Sequence, residues 1–274
     1  MKRILFNSIK LMVLVIFLTS CGYEEIIDAE YPDPVIYMPA AARGMFVINN
    51  VPGRPEFHPT PGYPSRFNID VDNNRFVVPL SVYRSGFEHS QSVDVDIHAD
   101  TDTISQLISA EEGLAENVGI LPSQHYSLPS SVTVQRGDEI GSFSMEVDLD
   151  YLLASVDTVF ALGVRISSDQ IEVNDNLGTT IIIIHTRILY PQAAFGYSIA
   201  TVTPDTAQVN FENNSIYAMR YLWDFGDGNT DTVRAPVHYY TESGTYNVSL
   251  TAIGVVGEIT QDVADTTFIE ILLE

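Results

Sequence analysis

The sequence predicts an all-β protein made of two β-sandwich domains in tandem. Apolar residues recur at every second position in several segments, for example at Val93, Val95 and Ile97, which places them on one face of a strand. Two nearly continuous apolar runs, 160–166 and 181–184, are typical of central strands covered on both faces. From about residue 190 onward, short strands follow one another at regular spacing, as they do in a β-sandwich.

One helix interrupts the strands of the first domain. Ile104 and Leu107 belong to a set of apolar residues with helical spacing, and Thr103 with Gln106 predicts a capping box. The predicted helix lies within 102–116 and covers one end or one face of the sandwich. Further strands are predicted at 76–83, after the turn residues 72–74, and at 143–147.

The N-terminus has the layout of a lipoprotein signal. Basic residues at positions 2, 3 and 10 precede the apolar run 11–18, and the chain's one cysteine, Cys21, follows Ser20. The tetrapeptide 18–21 resembles a lipobox, in which the cysteine receives diacylglycerol and becomes the new N-terminus. The alternative is an ordinary secretory signal with an incidental cysteine. A membrane-spanning helix is disfavoured because the apolar run is shorter than the roughly 20 residues that a span needs.

The lipobox resemblance divides the chain into four parts. We predict a signal peptide at 1–20, a tether at 21–30, a first domain at 31–188 and a second domain at 189–274, with the membrane reached only through the lipid. Residues 22–25, Gly-Tyr-Glu-Glu, resemble the surface-export signal of Bacteroidetes-type lipoproteins. This resemblance implies an outer-membrane location facing the cell exterior.

The charge of the chain restricts its partners. Removal of residues 1–20 leaves ten arginines and no lysine against 36 acidic residues. Because phosphate binding depends on neutralisation by Lys and Arg, nucleic acid is excluded as a partner. With a single cysteine, neither a disulfide nor a thiolate metal site can form within the chain.

The clearest motif lies in the second domain. Tyr221 is followed by Trp223, Asp224, Phe225, Gly226, Asp227 and Gly228, then by Pro236, His238 and Tyr240, and then by Gly244, Tyr246, Val248 and Leu250. This order resembles the PKD domain, an immunoglobulin-like module, and the resemblance covers nearly all of residues 190–274. It implies an immunoglobulin-like β-sandwich that acts as a spacer or interaction module. The first domain is predicted to be an immunoglobulin-like sandwich as well.

Trp223 and the aspartates near this motif each allow two interpretations. Trp223 is either a buried core residue or a platform for sugar, and its position in phase with Phe225 favours the core. Asp224, Asp227 and Asp231 either stabilise turns or hold calcium, and their spacing differs from that of the EF-hand loop. We therefore predict no cofactor, with calcium as the alternative.

The first domain resembles a domain of unknown function at the N-terminus of many Bacteroidetes surface lipoproteins. The resemblance rests on 83–86 (Tyr-Arg-Ser-Gly), on Tyr126, Leu128 and Pro129 leading into 132–134, on Gly137, and on a late strand that ends near His185. It implies an association with glycan utilisation and supplies no catalytic residues.

The proline-rich segment 51–66 is the predicted contact surface. Its five prolines stiffen a loop that carries Phe57, His58 and Tyr63. A stiff loop loses little entropy when its aromatic residues meet a ligand, so these three residues are the candidate glycan-binding site. The alternative is a rigid connection whose aromatic residues pack on their own domain.

The sequence offers little that would support catalysis. The six histidines lack close metal-ligand spacing, and no nucleophile elbow or phosphate-binding glycine loop is present. We predict a non-catalytic surface lipoprotein that binds a polysaccharide or oligosaccharide, or assists neighbouring outer-membrane uptake proteins. The alternative is a structural or adhesion lipoprotein that binds a protein partner. Exposed rings among Phe57, Tyr63, Tyr217 and Tyr239 would favour the first function, and a large aliphatic patch would favour the second.

Overall fold

The structure is a computed structural model that describes residues 33–52, 60, 62, 63, 65–86, 89–110, 114, 117–257 and 263–272. Cys21, Phe57 and His58 lie outside these residues. The strands before residue 190 are β1 (Ile36–Tyr37), β2 (Phe46–Ile48), β3 (Asn68–Asp70), β4 (Arg75–Arg84), β5 (Val93–Asp100), β6 (Val118–Ile120), β7 (Tyr126–Ser127), β8 (Ser131–Val134), β9 (Ile140–Asp148), β10 (Val159–Ser167) and β11 (Thr179–His185). Two α-helices, α1 (Thr101–Ser109) and α2 (Leu149–Ala154), lie among them in the described part of the chain.

The first domain is a sandwich of two sheets. One sheet has the order β1-β4-β9-β7, with β3 also paired to β4, and the other has the order β2-β11-β10-β5-β8, with β6 also paired to β10. Their inward faces share a single core in which Val78, Leu80 and Val95 are fully buried. The alternation predicted for β5 is confirmed, since its apolar residues are buried and the acidic residues between them are exposed.

Helix α1 covers the outer face of the second sheet. Ile104 packs there against Ala161 and Ile183, so β10 and β11 are buried on both faces, as their apolar runs predict. The helix ends at Ser109 and is therefore shorter than the predicted segment 102–116.

The predicted capping box of α1 is wrong. The N-cap is Asp100, whose carboxylate accepts the backbone N–H of Thr103 at 3.0 Å. Thr103 already lies inside the first turn, and Arg165 fixes the capping carboxylate by donating from Nε to Oδ2 at 2.8 Å. A carboxylate near a helix N-terminus is also favoured by the helix dipole.

The Tyr-Arg-Ser-Gly segment at 83–86 holds the beginning of the described chain in place. Ser85 exchanges two hydrogen bonds with Val35: its Oγ accepts the Val35 N–H at 2.9 Å, and its own N–H donates to the Val35 carbonyl at 3.0 Å. Arg84 is buried and donates to the backbone carbonyls of Gln91 and Asp138. Gly86 has a φ of +98°, and an added Cβ would lie 3.2 Å from Pro34. This segment therefore has a structural role.

The second domain is a smaller sandwich. Its strands are β12 (Phe195–Val202), β13 (Ala207–Asn213), β14 (Arg220–Asp224), β15 (Thr230–Asp231), β16 (Val237–Tyr240), β17 (Gly244–Ile253) and β18 (Val263–Ile271). One sheet has the order β12-β13-β16, and the other has the order β15-β14-β17-β18. The mostly-strand content and the separate sheets confirm the prediction of an all-β tandem of sandwiches. The boundaries predicted for the four parts of the chain stay a prediction.

A turn of the second domain packs into the core of the first. Val256, in the turn after β17, is 3% exposed and belongs to the core cluster of the first domain. Val255 and Tyr217 pack against the same cluster. The connection between the domains is also buried, since Ile188 and Leu189 are fully covered in the short helical turn Thr186–Leu189. Apolar side chains therefore join the two sandwiches.

Within the residues described, no helix is both long enough and apolar enough to cross a bilayer.

Candidate functional site

The predicted proline-rich site is described only in part. Tyr63 is 40% exposed, whereas Phe57 and His58 lie outside the described residues. Of the two other tyrosines named as discriminating residues, Tyr217 packs against the core of the first domain, and Tyr239 is 54% exposed. Of these rings, Tyr63 and Tyr239 are the exposed ones among the described residues.

Trp223 cannot serve as a sugar platform because its side chain is fully buried. Its indole Nε1 donates to the carbonyl of Val233 at 3.0 Å, which satisfies the one polar atom of the ring. Phe211 lies 5.2 Å away between ring centroids, and Phe225 lies 6.4 Å away and nearly parallel. Trp223 is the centre of the second core.

The aspartates of the motif are hydrogen-bonded within turns. Asp224 accepts the Gly226 N–H at 2.9 Å, and Asp231 accepts the Val233 N–H at 2.9 Å. Among the described residues, no group of three or more His, Cys, Asp or Glu side chains is arranged to hold a metal ion.

Asp227 and His238 form a close polar contact in the second domain. His238 Nε2 lies 2.7 Å from Asp227 Oδ2, and its ring stacks on Phe225 with 4.0 Å between centroids. Burial raises the pKa of the Asp227 carboxyl, but hydrogen bonds from His238 and Asn229 outweigh burial, so the pKa lies below its usual value. This contact fixes the turn after β14 onto β16.

The first domain contains a similar contact between His125 and Asp148. His125 Nδ1 lies 3.4 Å from Asp148 Oδ2, and its ring stacks on Tyr151 with 3.7 Å between centroids. Asp148 also caps α2 by accepting the Tyr151 N–H, and it accepts Asn74 Nδ2 at 3.0 Å. These bonds give the Asp148 carboxylate a structural role at the start of α2.

An uncharged platform lies on the outer face of the sheet β12-β13-β16. We use the term platform for five side chains that point away from the core: Ser198, Gln208, Asn210, Val237 and Tyr239. The register places Gln208 directly opposite Tyr239, and Asn210 between Ser198 and Val237. The alternate residues Ala207, Val209 and Phe211 are buried, which fixes the outward direction of Gln208 and Asn210.

Hydrogen bonds connect three side chains of the platform. Tyr239 donates its hydroxyl to Gln208 Oε1 at 3.4 Å, so its ring leans across the sheet toward β13. Gln208 Nε2 donates in turn to Asn210 Oδ1 at 3.1 Å. The result is an exposed aromatic face beside two oriented amides, each of which keeps further donors and acceptors for a ligand.

Two comparisons with protein families assign the domains. A family model described as a PKD domain matches residues 190–269. The chain carries a PKD domain. A second family model, for an N-terminal domain, matches residues 60–173. The predicted domain architecture is therefore confirmed.

Individual relatives resemble parts of the chain. The pre-pro-metalloprotease PrtV of Vibrio cholerae is 26% identical over 155 residues, which are 57% of this chain and 14% of that protein. The crystal structure of the PKD1 domain of PrtV is 29% identical and covers 30% of this chain and 96% of that domain, with a TM-score of 0.26. The crystal structure of Bacteroides thetaiotamicron EndoBT-3987 with Man5GlcNAc product is 12% identical and covers 57% of this chain and 32% of that one, with a TM-score of 0.36. The chain thus spans a small part of the length of PrtV.

The sequence indicated only part of the platform. The alternation at 207–211 is a signal that could have indicated the outward direction of Gln208 and Asn210, and Tyr239 is one of the aromatic residues whose exposure discriminates between the two functions. The register between β13 and β16 is a long-range feature, and it alone brings Tyr239 opposite Gln208.

Proposed function

We propose that this protein is a non-catalytic, lipid-anchored surface protein that binds glycan through the platform of its PKD domain. The observation that carries the proposal is the exposed Tyr239 ring, hydrogen-bonded beside the amides of Gln208 and Asn210. The apolar C–H face of a sugar ring stacks on an aromatic ring, and amide groups pair with neighbouring hydroxyls. Because the three groups are already held together, a ligand orders few side chains on binding.

The platform suits an uncharged glycan. Its five side chains are neutral, whereas the next outward residue of β13, the exposed Glu212, and the formal net charge of −23 make the surroundings acidic. This charge repels carboxylated and sulfated polysaccharides at a distance. A neutral polysaccharide meets no such barrier and is the expected ligand.

The lipid anchor and the surface location rest on the N-terminal sequence. A cysteine directly behind a basic and apolar segment supports lipidation at Cys21, and the acidic pair that follows supports export to the outer face of the outer membrane. Metabolic labelling with a fatty-acid analogue tests the first part: wild-type protein is expected to be labelled and Cys21→Ser protein is not. Digestion of intact cells with a protease tests the second, because a surface protein is degraded and a periplasmic one is protected.

A glycan array with the soluble form starting at Gly22 tests the binding function. Wild-type protein is expected to bind one class of neutral polysaccharide, and Tyr239→Ala is expected to weaken binding by at least about tenfold. Leu222→Ala is the matched control, because Leu222 is similarly exposed and lies on the other sheet of the same domain. Tyr63→Ala distinguishes the platform from the proline-rich segment.

The outcomes separate the two candidate surfaces. Loss of binding in Tyr63→Ala with full binding in Tyr239→Ala would place the glycan on the proline-rich segment and refute the platform. Absence of binding to both neutral and charged glycans on the array would refute glycan binding and favour a protein partner.

A further inference from the structure

The first domain has an open strand edge. Strand β9 pairs with β4 along its whole length, but on its other side it pairs with β7 only at Val147 and Glu146. Among the described residues, no strand continues this pairing toward Ile140. The segment from Ser142 to Ser144 therefore lies at an edge of the sheet.

The backbone of Ser142 and Ser144 faces this open edge. In an antiparallel pair, the N–H and C=O groups of successive residues point alternately to the two sides. The Arg84 N–H donates to the Glu139 carbonyl at 2.8 Å, so the odd-numbered residues of β9 face β4 and the even-numbered ones face away. Pro79 agrees with this assignment, because it lies opposite Ser144 and has no N–H to give.

The chain's own sequence prevents β7 from closing the edge. If β7 continued in register beyond Ser127, Pro129 would lie opposite Ser144 and could not donate a hydrogen bond. The chain leaves the sheet here, and the Ser130 carbonyl accepts the Ile97 N–H of the other sheet at 2.9 Å. Strand β8 then pairs with β5, so the two sheets diverge at this point.

A cleft of about 460 Å³ lies between β8 and β9. We call it the edge cleft. Its lining consists of Ser127, Leu128, Pro129, Ser131, Val132, Ser142, Phe143, Ser144 and Glu146. The four serines are small, and within the described residues their hydroxyls make no hydrogen bond. The edge cleft therefore lies directly beside the unpaired backbone groups of Ser142 and Ser144.

We propose that the edge cleft binds an extended peptide segment of a partner protein, which adds a short strand to β9 at Ser142 and Ser144. Unpaired backbone donors and acceptors repeating every second residue match the backbone of a strand. Glu146 in the lining is already paired with Arg75 at 3.3 Å, so the charge preference comes from the chain as a whole. Because the chain carries a formal net charge of −23, a segment with basic flanks is favoured over an acidic one. A second copy of this chain fits less well, because pairing β9 with β9 would bring the turn at Pro129 of one copy against the turn at Pro129 of the other.

The test uses the soluble form of the full chain and the acetylated peptide Lys-Val-Thr-Val-Thr-Val-Lys. Calorimetry is expected to show binding at submillimolar to millimolar peptide. The same peptide with N-methyl groups on alternate backbone amides is expected to bind at least about tenfold more weakly, because its side chains are unchanged and its strand donors are lost. A version flanked by Glu is also expected to bind more weakly.

Protein variants locate the contact. Ser144→Pro removes an outward-facing N–H of β9 and also fixes φ at that residue, and it is expected to weaken binding at least about tenfold. Ser144→Ala is the matched control, since it keeps the N–H. Thermal unfolding verifies that Ser144→Pro folds, and Ser142→Pro replaces it if it does not.

Any one of three results would overturn the proposal. The first is that the Lys-flanked peptide does not bind at millimolar concentration, and the second is that the N-methyl peptide binds as tightly as the parent peptide. The third is that the Ser144→Pro protein binds the peptide as tightly as the Ser144→Ala protein. A dimer in sedimentation that Ser144→Pro abolishes would assign the edge to a second copy. This test is independent of the platform, because Tyr239→Ala is expected to bind the peptide normally.

Discussion

The contact between the two domains gives the sharpest quantitative prediction. Val256 belongs to the second domain by sequence, yet its side chain is 3% exposed within the core of the first. Val256→Ala removes two methyl-sized groups, which costs about 1.6 kcal/mol at about 0.8 kcal/mol for each buried carbon. Incomplete collapse of the cavity raises the expected loss of unfolding free energy to about 2–3 kcal/mol.

Urea unfolding monitored by two signals measures this loss. Tryptophan fluorescence reports on the second domain, because Trp223 is the chain's one tryptophan, and circular dichroism reports on both domains. Val256→Ala is expected to lower the midpoint of both signals. Val233→Ala is the matched control: Val233 is 57% exposed, and its truncation is expected to change stability by no more than about 0.5 kcal/mol. A Val256→Ala midpoint equal to that of the control would refute the shared core.

Further predictions concern the turn after β14, the cap of α1 and the two proposed surfaces. Asp227→Asn weakens the contact with His238 and is expected to lower the unfolding free energy by about 1.5–3 kcal/mol at pH 7. The folded-state pKa of Asp227 lies below its unfolded value of about 3.9, so this difference is present above about pH 4 and shrinks as the pH falls through the folded pKa. Denaturation at a series of pH values measures it. Gly226→Ala is expected to destabilise the protein more than Gly228→Ala, since both have positive φ but only the first Cβ would meet backbone, at 2.7 Å from the Asn247 carbonyl, and thermal melts compare the two. Asp100→Ala is expected to cost about 1–2 kcal/mol through loss of the helix cap, measured by urea unfolding. Raising the salt from 0.05 M to about 1 M is expected to weaken the Lys-flanked peptide in calorimetry and to leave a neutral glycan unaffected on the affinity gel.

The local periodicity of the sequence predicts the strands well and the ends of the helices poorly. The runs 160–166 and 181–184 lie within β10 and β11 because strands covered on both faces need apolar residues at every position. The N-terminus of α1 differs from the prediction because Asp100, the last residue of β5, also caps the helix by accepting the Thr103 N–H. The short helix α2 was missed because six residues show too little periodicity, although Asp148 followed by Tyr151 is a capping signal.

Sheet order and strand register explain why two features of the structure could not be predicted from the sequence. The spacer role implied by the PKD resemblance suggests a domain held apart, and nothing local to Val256 predicts its burial in the other domain. Likewise, the opening beside Ser144 follows from the order β4-β9-β7, in which β7 contributes only two residues. Both features depend on contacts between residues more than a hundred positions apart or on the pairing of whole strands.

The two proposed surfaces use different forces, and the charge of the chain explains why they can coexist. On an acidic protein, a general attraction for cations gives little selectivity, so a glycan site gains from neutral groups whose geometry decides what binds. The platform has such groups, and its amides are oriented by hydrogen bonds before any ligand arrives. At the edge cleft the backbone itself supplies the recognition, and the surrounding charge selects among strands that would otherwise pair equally well. A glycan competitor should therefore leave peptide binding intact, since the two ligands contact different domains and share no contact residue.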